Sequence, residues 1–173
     1  MRVASIIRAQ KDDLSVGQWS DEKLRAKDFP LLRKKGKAFP LTLRWRWQIS
    51  TFSVLGRRFR ILSSYHTLIP EFMCVLAEDI GSDCRVVARW EFHQSHDGWH
   101  VHVICGDIDS VTTGIVKPLG TKRIPADGTY HRHTELLNDG CDMEDKIATA
   151  IACDLCGIGQ DRDLFVKGAV PWF

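Results

Sequence analysis

The chain has 173 residues, 44% of them hydrophobic and 27% charged, the balance of one globular domain with enough apolar side chains for a core. No stretch approaches the roughly 20 consecutive apolar residues of a membrane span, so a helical membrane protein is excluded. Glycine and proline are too few for a fibrous or low-complexity chain. The first residues lack an apolar stretch followed by a small-residue cleavage site, so a cytoplasmic protein with no membrane partner is expected. The six cysteines are then read mostly as free thiols.

The net charge of +2 hides an asymmetry. Residues 22–60 hold twelve Lys or Arg and two acids, a balance of +10, while the remainder carries twelve bases and twenty acids, −8. A basic segment of that kind either forms a solvated face or attracts phosphates in a salt-dependent way. Lys34, Lys35, Arg44, Arg46, Arg57, Arg58 and Arg60 are its candidate nucleic-acid contacts.

In chain order, residues 1–40 read as a basic N-terminal extension, irregular or partly helical, with a short helix capped by Ser20. Pro30 and Pro40 bracket the most basic part. Residues 41–50 alternate apolar and polar, with Leu41, Leu43, Trp45, Trp47 and Ile49 on one face of a strand. That packing sends Arg44 and Arg46 toward solvent or nucleic acid, and an exposed tryptophan would stack on bases. Residues 52–62 extend this strand or form a second one after a turn at Gly56. Over residues 66–80 the spacing of Leu68, Ile69, Phe72, Met73, Val75, Leu76 and Ile80 suits an amphipathic helix stopped by Gly81.

Residues 85–93 and 99–105 read as two strands of an antiparallel hairpin turning at Asp97-Gly98. A long excursion over 107–141 follows, then a helix over 143–156 ended by Gly157, and a short strand over 163–167. The expected order is β, α, β, β, α, β. That is an α+β fold, ferredoxin-like with a central antiparallel sheet, over residues 41–173.

His100 and His102 carry the most chemistry. Residues i and i+2 of a strand project to the same face, so the two imidazoles can share one divalent ion. Glu91 and His93, two apart on the preceding strand, can lie beside them. Two imidazoles and a carboxylate leave open positions and suit Mn²⁺ or Mg²⁺, or Zn²⁺. Two histidines on one strand face also occur simply as hydrogen-bonded or surface residues. Cys141, Cys153 and Cys156, with His131 and His133 nearby, are a second candidate set for a structural zinc; the competing reading is packed thiols on a helix.

The run Arg89-Trp90-Glu91-Phe92-His93 followed by Asp97-Gly98-Trp99-His100-Val101-His102-Val103-Ile104 resembles the metal-binding motif of the HUH endonucleases. These are rolling-circle replication initiators, relaxases and single-tyrosine transposases. Leu41-Thr42-Leu43 is similar to the short first motif of the replication initiators. The resemblance covers about twenty residues in motif and residues 41–167 in expected topology. It implies that a metal polarises a phosphate of single-stranded DNA while a tyrosine hydroxyl attacks. The products are a 5′-phosphotyrosine and a free 3′-hydroxyl. His100 and His102 would be ligands, Glu91 the best third, His93 the reserve. The family's tyrosine belongs on the helix after the His strand, yet residues 143–156 hold Lys146 and no tyrosine. Tyr130, in the excursion, is the candidate nucleophile, with Tyr65 behind it.

The expected function is therefore a metal-dependent nickase or strand transferase of a mobile element, plasmid or phage. The alternatives are a nucleic-acid- or protein-binding module on the same scaffold, such as a regulator or an inhibitor of host defence, or a metal phosphodiesterase that uses water.

Overall fold

The computed structural model describes residues 1–31, 41–93, 98–124 and 143–159. Helix α1 (Val3–Arg8) leads into β1 (Asp12–Val16). Strands β2 (Trp45–Val54), β3 (Arg57–His66), β4 (Phe72–Ile80), β5 (Asp83–His93), β6 (Gly98–Ile104) and β7 (Thr121–Ile124) follow, and α2 (Asp145–Cys156) closes the described chain. The seven strands form one antiparallel sheet in the order β1-β2-β3-β4-β5-β6-β7. The fold is of the α+β class.

The meander corrects the ferredoxin-like expectation. That arrangement requires a helical crossover after the first strand, and the predicted helix over 66–80 is instead β4 with the turn before it. The reason is burial on both faces. Every residue from Phe72 to Glu78 is buried, so β4 shows no apolar–polar alternation and its apolar positions mimic helical spacing. Gly81, read as a helix stop, sits at φ 60° in the two-residue turn between the paired Ile80 and Asp83. Leu55 and Gly56, at φ 50° and 74°, make the equivalent turn between β2 and β3.

Two apolar cores cover opposite faces of the sheet. On the helix face, Val3 and Ile6 of α1 and Ala148, Ile151, Ala152 and Leu155 of α2 pack on Phe52, Phe59, Cys74, Trp90 and Val101. On the second face, Leu24, Phe29 and Leu31 pack on Trp47, Leu62, Val75 and Val86. Residues 1–31 are thus part of the domain and not an extension: α1 supplies core, β1 supplies an edge strand, and Ser20 bridges to Trp47. No helix stands at residues 20–27; Ser20 Oγ accepts from the Glu22 amide in a local turn. Trp47 is buried as expected from the strand period, whereas Leu43 is 91% exposed because β2 begins only at Trp45. The predicted strand over 163–167 and the turn over 94–97 lie outside the described residues.

Candidate metal centre

The hairpin β5–β6 pairs Glu91 with His100 and Arg89 with His102. Trp90, Phe92, Trp99 and Val101 alternate with these and fill the helix-face core, which turns Arg89, Glu91, His100 and His102 to the second face. Glu91 Oε2 lies 3.0 Å from His100 Nε2 and 3.4 Å from His102 Nε2, and the three ligand atoms lie within 4.8 Å of one another. Ligands held about 2.1 Å from one ion at octahedral or tetrahedral angles are separated by about 3.0–3.4 Å. The two separations from Glu91 match that spacing, and the donor chemistry, two imidazole nitrogens and one carboxylate, suits a divalent cation. His93 stands edge-on to His100 at 4.8 Å between ring centroids, beside the three rather than among them.

Burial grades the site from inside to outside. His100 is 3% exposed, Glu91 12% and His102 20%, so access is from the His102 side. Burial alone pushes the Glu91 carboxyl up. Hydrogen bonds with His100 and His102, and the charge and hydrogen bond of Arg89, outweigh it and hold the group well below the usual carboxylate range. Glu91 is thus a carboxylate at any ordinary pH, as a metal ligand must be.

The remaining predicted residues are dispersed. Lys146 is exposed on α2, which packs by its Ala148–Ile151–Leu155 side on the helix face, so the sheet separates it from the histidines. Tyr65 is on that helix face too. Its hydroxyl donates to Asp145 Oδ1 at 2.8 Å, and burial, then that hydrogen bond, push the phenol up to about 12. It is neither placed nor poised to attack at the triad. Tyr130, Lys34, Lys35 and Cys141 lie outside the described residues.

Four of the six described arginines of the basic segment are ion-paired at long range, while Arg33, Lys34, Lys35 and Lys37 lie outside the described residues. Arg46 forks onto Asp145 with two bonds of 2.8 Å. Arg57 bridges the buried Glu78 and Asp109. Arg60 pairs with Asp79 and donates to the Asp28 carbonyl. Arg58, 67% exposed, has Asp79 at 3.5 Å, and Arg44 is exposed. Of the proposed zinc set, Cys156 is buried with its Sγ 3.9 Å from that of Cys74, and Cys153 is half-buried one turn before it on α2. Among the described residues, Glu91, His100 and His102 are the only group with metal-ligand spacing.

Arg89, which anchors Glu91, was legible in the sequence: two residues before Glu91 on a strand, it shares its face. Lys117 was not, because the excursion returns it beside His102 only in the folded chain. No family model, curated protein or solved structure matches this chain.

Proposed function

We propose that this protein is a divalent-metal-dependent enzyme that cleaves phosphodiester bonds in single-stranded DNA, with Glu91, His100 and His102 holding the ion. One observation carries the reading: three ligand atoms of suitable chemistry lie within 4.8 Å of one another on one face of a two-stranded hairpin. A bound Mn²⁺ or Mg²⁺ supplies Lewis-acid polarisation of a phosphoryl oxygen. The chain's own contribution is to hold the ligands. Arg89 fixes the Glu91 carboxylate, and the Trp90, Trp99 and Val101 core fixes the two strands. Arg44 and Arg58, exposed at the sheet's margins, serve the nucleic-acid backbone.

The nucleophile is Tyr130 or a water molecule, and the two leave different products. Attack by Tyr130 forms an Oη–P bond and releases the 3′-oxygen, leaving protein on the 5′-phosphate. Attack by water leaves no adduct. A second reading, a non-catalytic nucleic-acid- or protein-binding module, draws on the absence of any tyrosine from the triad's face among the described residues.

The test is Mn²⁺-dependent cleavage of end-labelled single-stranded DNA, resolved on a denaturing gel that preserves protein–DNA adducts. Wild type is compared with Y130F and with the double variant H100A/H102A. An adduct lost in Y130F establishes a tyrosine nickase, and cleavage without adduct establishes a water-using phosphodiesterase. In both cases H100A/H102A is inactive. No cleavage by folded, Mn²⁺-loaded wild type refutes the enzyme and leaves the binding module.

A further inference from the structure

We infer that the surface beside His102 is a phosphodiester-binding subsite in which Lys117 and Arg123 position the substrate's phosphate against the metal centre. This rests on the metal reading above and names the residues that would select its substrate.

Local bonds build this surface. The Gly114 amide donates to the Cys84 carbonyl at 2.8 Å, and Val116 packs on the second-face core, which folds the chain back over β5. Thr121 Oγ1 then donates to the Pro118 carbonyl at 2.7 Å and starts β7. The result is a shallow hollow with room for little more than a water molecule, bordered by Arg89, His102, Lys117 and Thr121 among apolar neighbours, with no carboxylate in its wall among the described residues, so a phosphate sits over it and not within it. Strand β7 pairs Arg123 with His102. Directly opposed residues of an antiparallel pair share a face with Cβ atoms about 5 Å apart, so the Arg123 side chain emerges next to the imidazole at the site's open side.

The charges select the ligand. Arg89 is neutralised by Glu91, so Lys117 and Arg123 remain as two net positive charges at the mouth. Both are exposed, and neither is ion-paired among the described residues. A phosphodiester has two non-bridging oxygens sharing one negative charge. One can face the triad while the other meets the lysine ammonium and the arginine fork, a planar donor that matches phosphate. His102, the most exposed of the three ligands, is the one that borders the hollow, so the triad is open to a phosphate from that side.

The test separates this inference from the one beneath it. Mn²⁺ affinity is measured by electron paramagnetic resonance. Binding of dimethyl phosphate to the Mn²⁺-loaded protein is measured by ³¹P relaxation, with inorganic phosphate as a second probe. The variants are K117A/R123A and R123K; both positions are exposed, and circular dichroism checks the fold. The expected result is Mn²⁺ affinity within about twofold of wild type in all variants, with dimethyl phosphate affinity down about tenfold or more in K117A/R123A and less in R123K. Unchanged dimethyl phosphate affinity in K117A/R123A overturns the subsite. So does a wild type that binds inorganic phosphate but not the diester. A folded wild type that binds no Mn²⁺ refutes the metal centre itself and, with it, the subsite.

Discussion

At the residue scale, the triad and the Arg46–Asp145–Tyr65 cluster make opposite uses of a carboxylate. Glu91 is held ionised within a face of donors, and its other oxygen is bound by a largely buried arginine. The substitution E91Q should abolish Mn²⁺ binding and also destabilise by about 3 kcal/mol, since it leaves Arg89 without its counter-charge. Calorimetric Mn²⁺ titration and urea unfolding read the two effects separately. Asp145 is a structural acceptor instead: Arg46, with help from Tyr65, holds its carboxyl low. Its stabilisation is present above the ordinary carboxyl pKa and is lost as pH falls through the depressed folded value. Tyr65 works at the other end. Its folded value of about 12 exceeds the ordinary 10, so the unfolded chain loses this proton first and stability falls as pH rises from about 10 to 12. In Y65F that alkaline fall should flatten. Midpoints of thermal unfolding across pH, wild type against variant, check it.

At the scale of elements, α2 ends in a way only glycine permits. Gly157 is left-handed at φ 66° and ψ 39°, and a Cβ there would meet the Ile7 carbonyl oxygen at 2.2 Å. G157A should therefore cost more than about 2 kcal/mol, because backbone of α1 must move as well as the turn strain. Gly81 is a control of the same backbone class with open space around it, and G81A should cost only about 1 kcal/mol. Urea midpoints of the two variants distinguish strain alone from strain with collision. The α2 helix and the β5–β6 hairpin were legible in the sequence. Each has a face that follows its period, and α2 ends at Gly157. Strand β4 was not legible, since an element apolar on both sides carries no periodic signature that separates strand from helix.

At the scale of the whole molecule, the sheet acts as a partition. Both helices, Tyr65 and Lys146 belong to one side, and the metal centre to the other. A cavity on the helix side should thus lower stability without touching the site. I151A should cost about 2–5 kcal/mol, with Mn²⁺ affinity unchanged while the protein stays folded. Unfolding curves with and without saturating Mn²⁺ test this, and an affinity loss in the folded variant would show that the faces are coupled. The partition also distributes charge. Arg57, paired with buried Glu78 and with Asp109, is a structural cation. R57M should reduce stability by about 3 kcal/mol yet leave the salt slope of DNA binding unchanged, as measured by fluorescence anisotropy at several salt concentrations.

Local spacing by itself determined the hairpin that brings Glu91, His100 and His102 onto one face, and the helix that stops at Gly157. It also excluded a helix long and apolar enough to cross a membrane. Those properties depend on residues within about a dozen positions of one another, so period and turn chemistry suffice. Tertiary structure alone decided that residues 72–80 are a strand, because that depended on both sides of the sheet being covered by distant segments. It alone decided that Arg46 and Arg57 are ion-paired, since Asp145, Glu78 and Asp109 lie far along the chain from the arginines they meet. It alone put Lys146 and Tyr65 across the sheet from the histidines while returning Lys117 to them. Which side of a sheet a helix or loop covers is set by where its apolar stripe finds a partner, and that choice is not written in either segment alone.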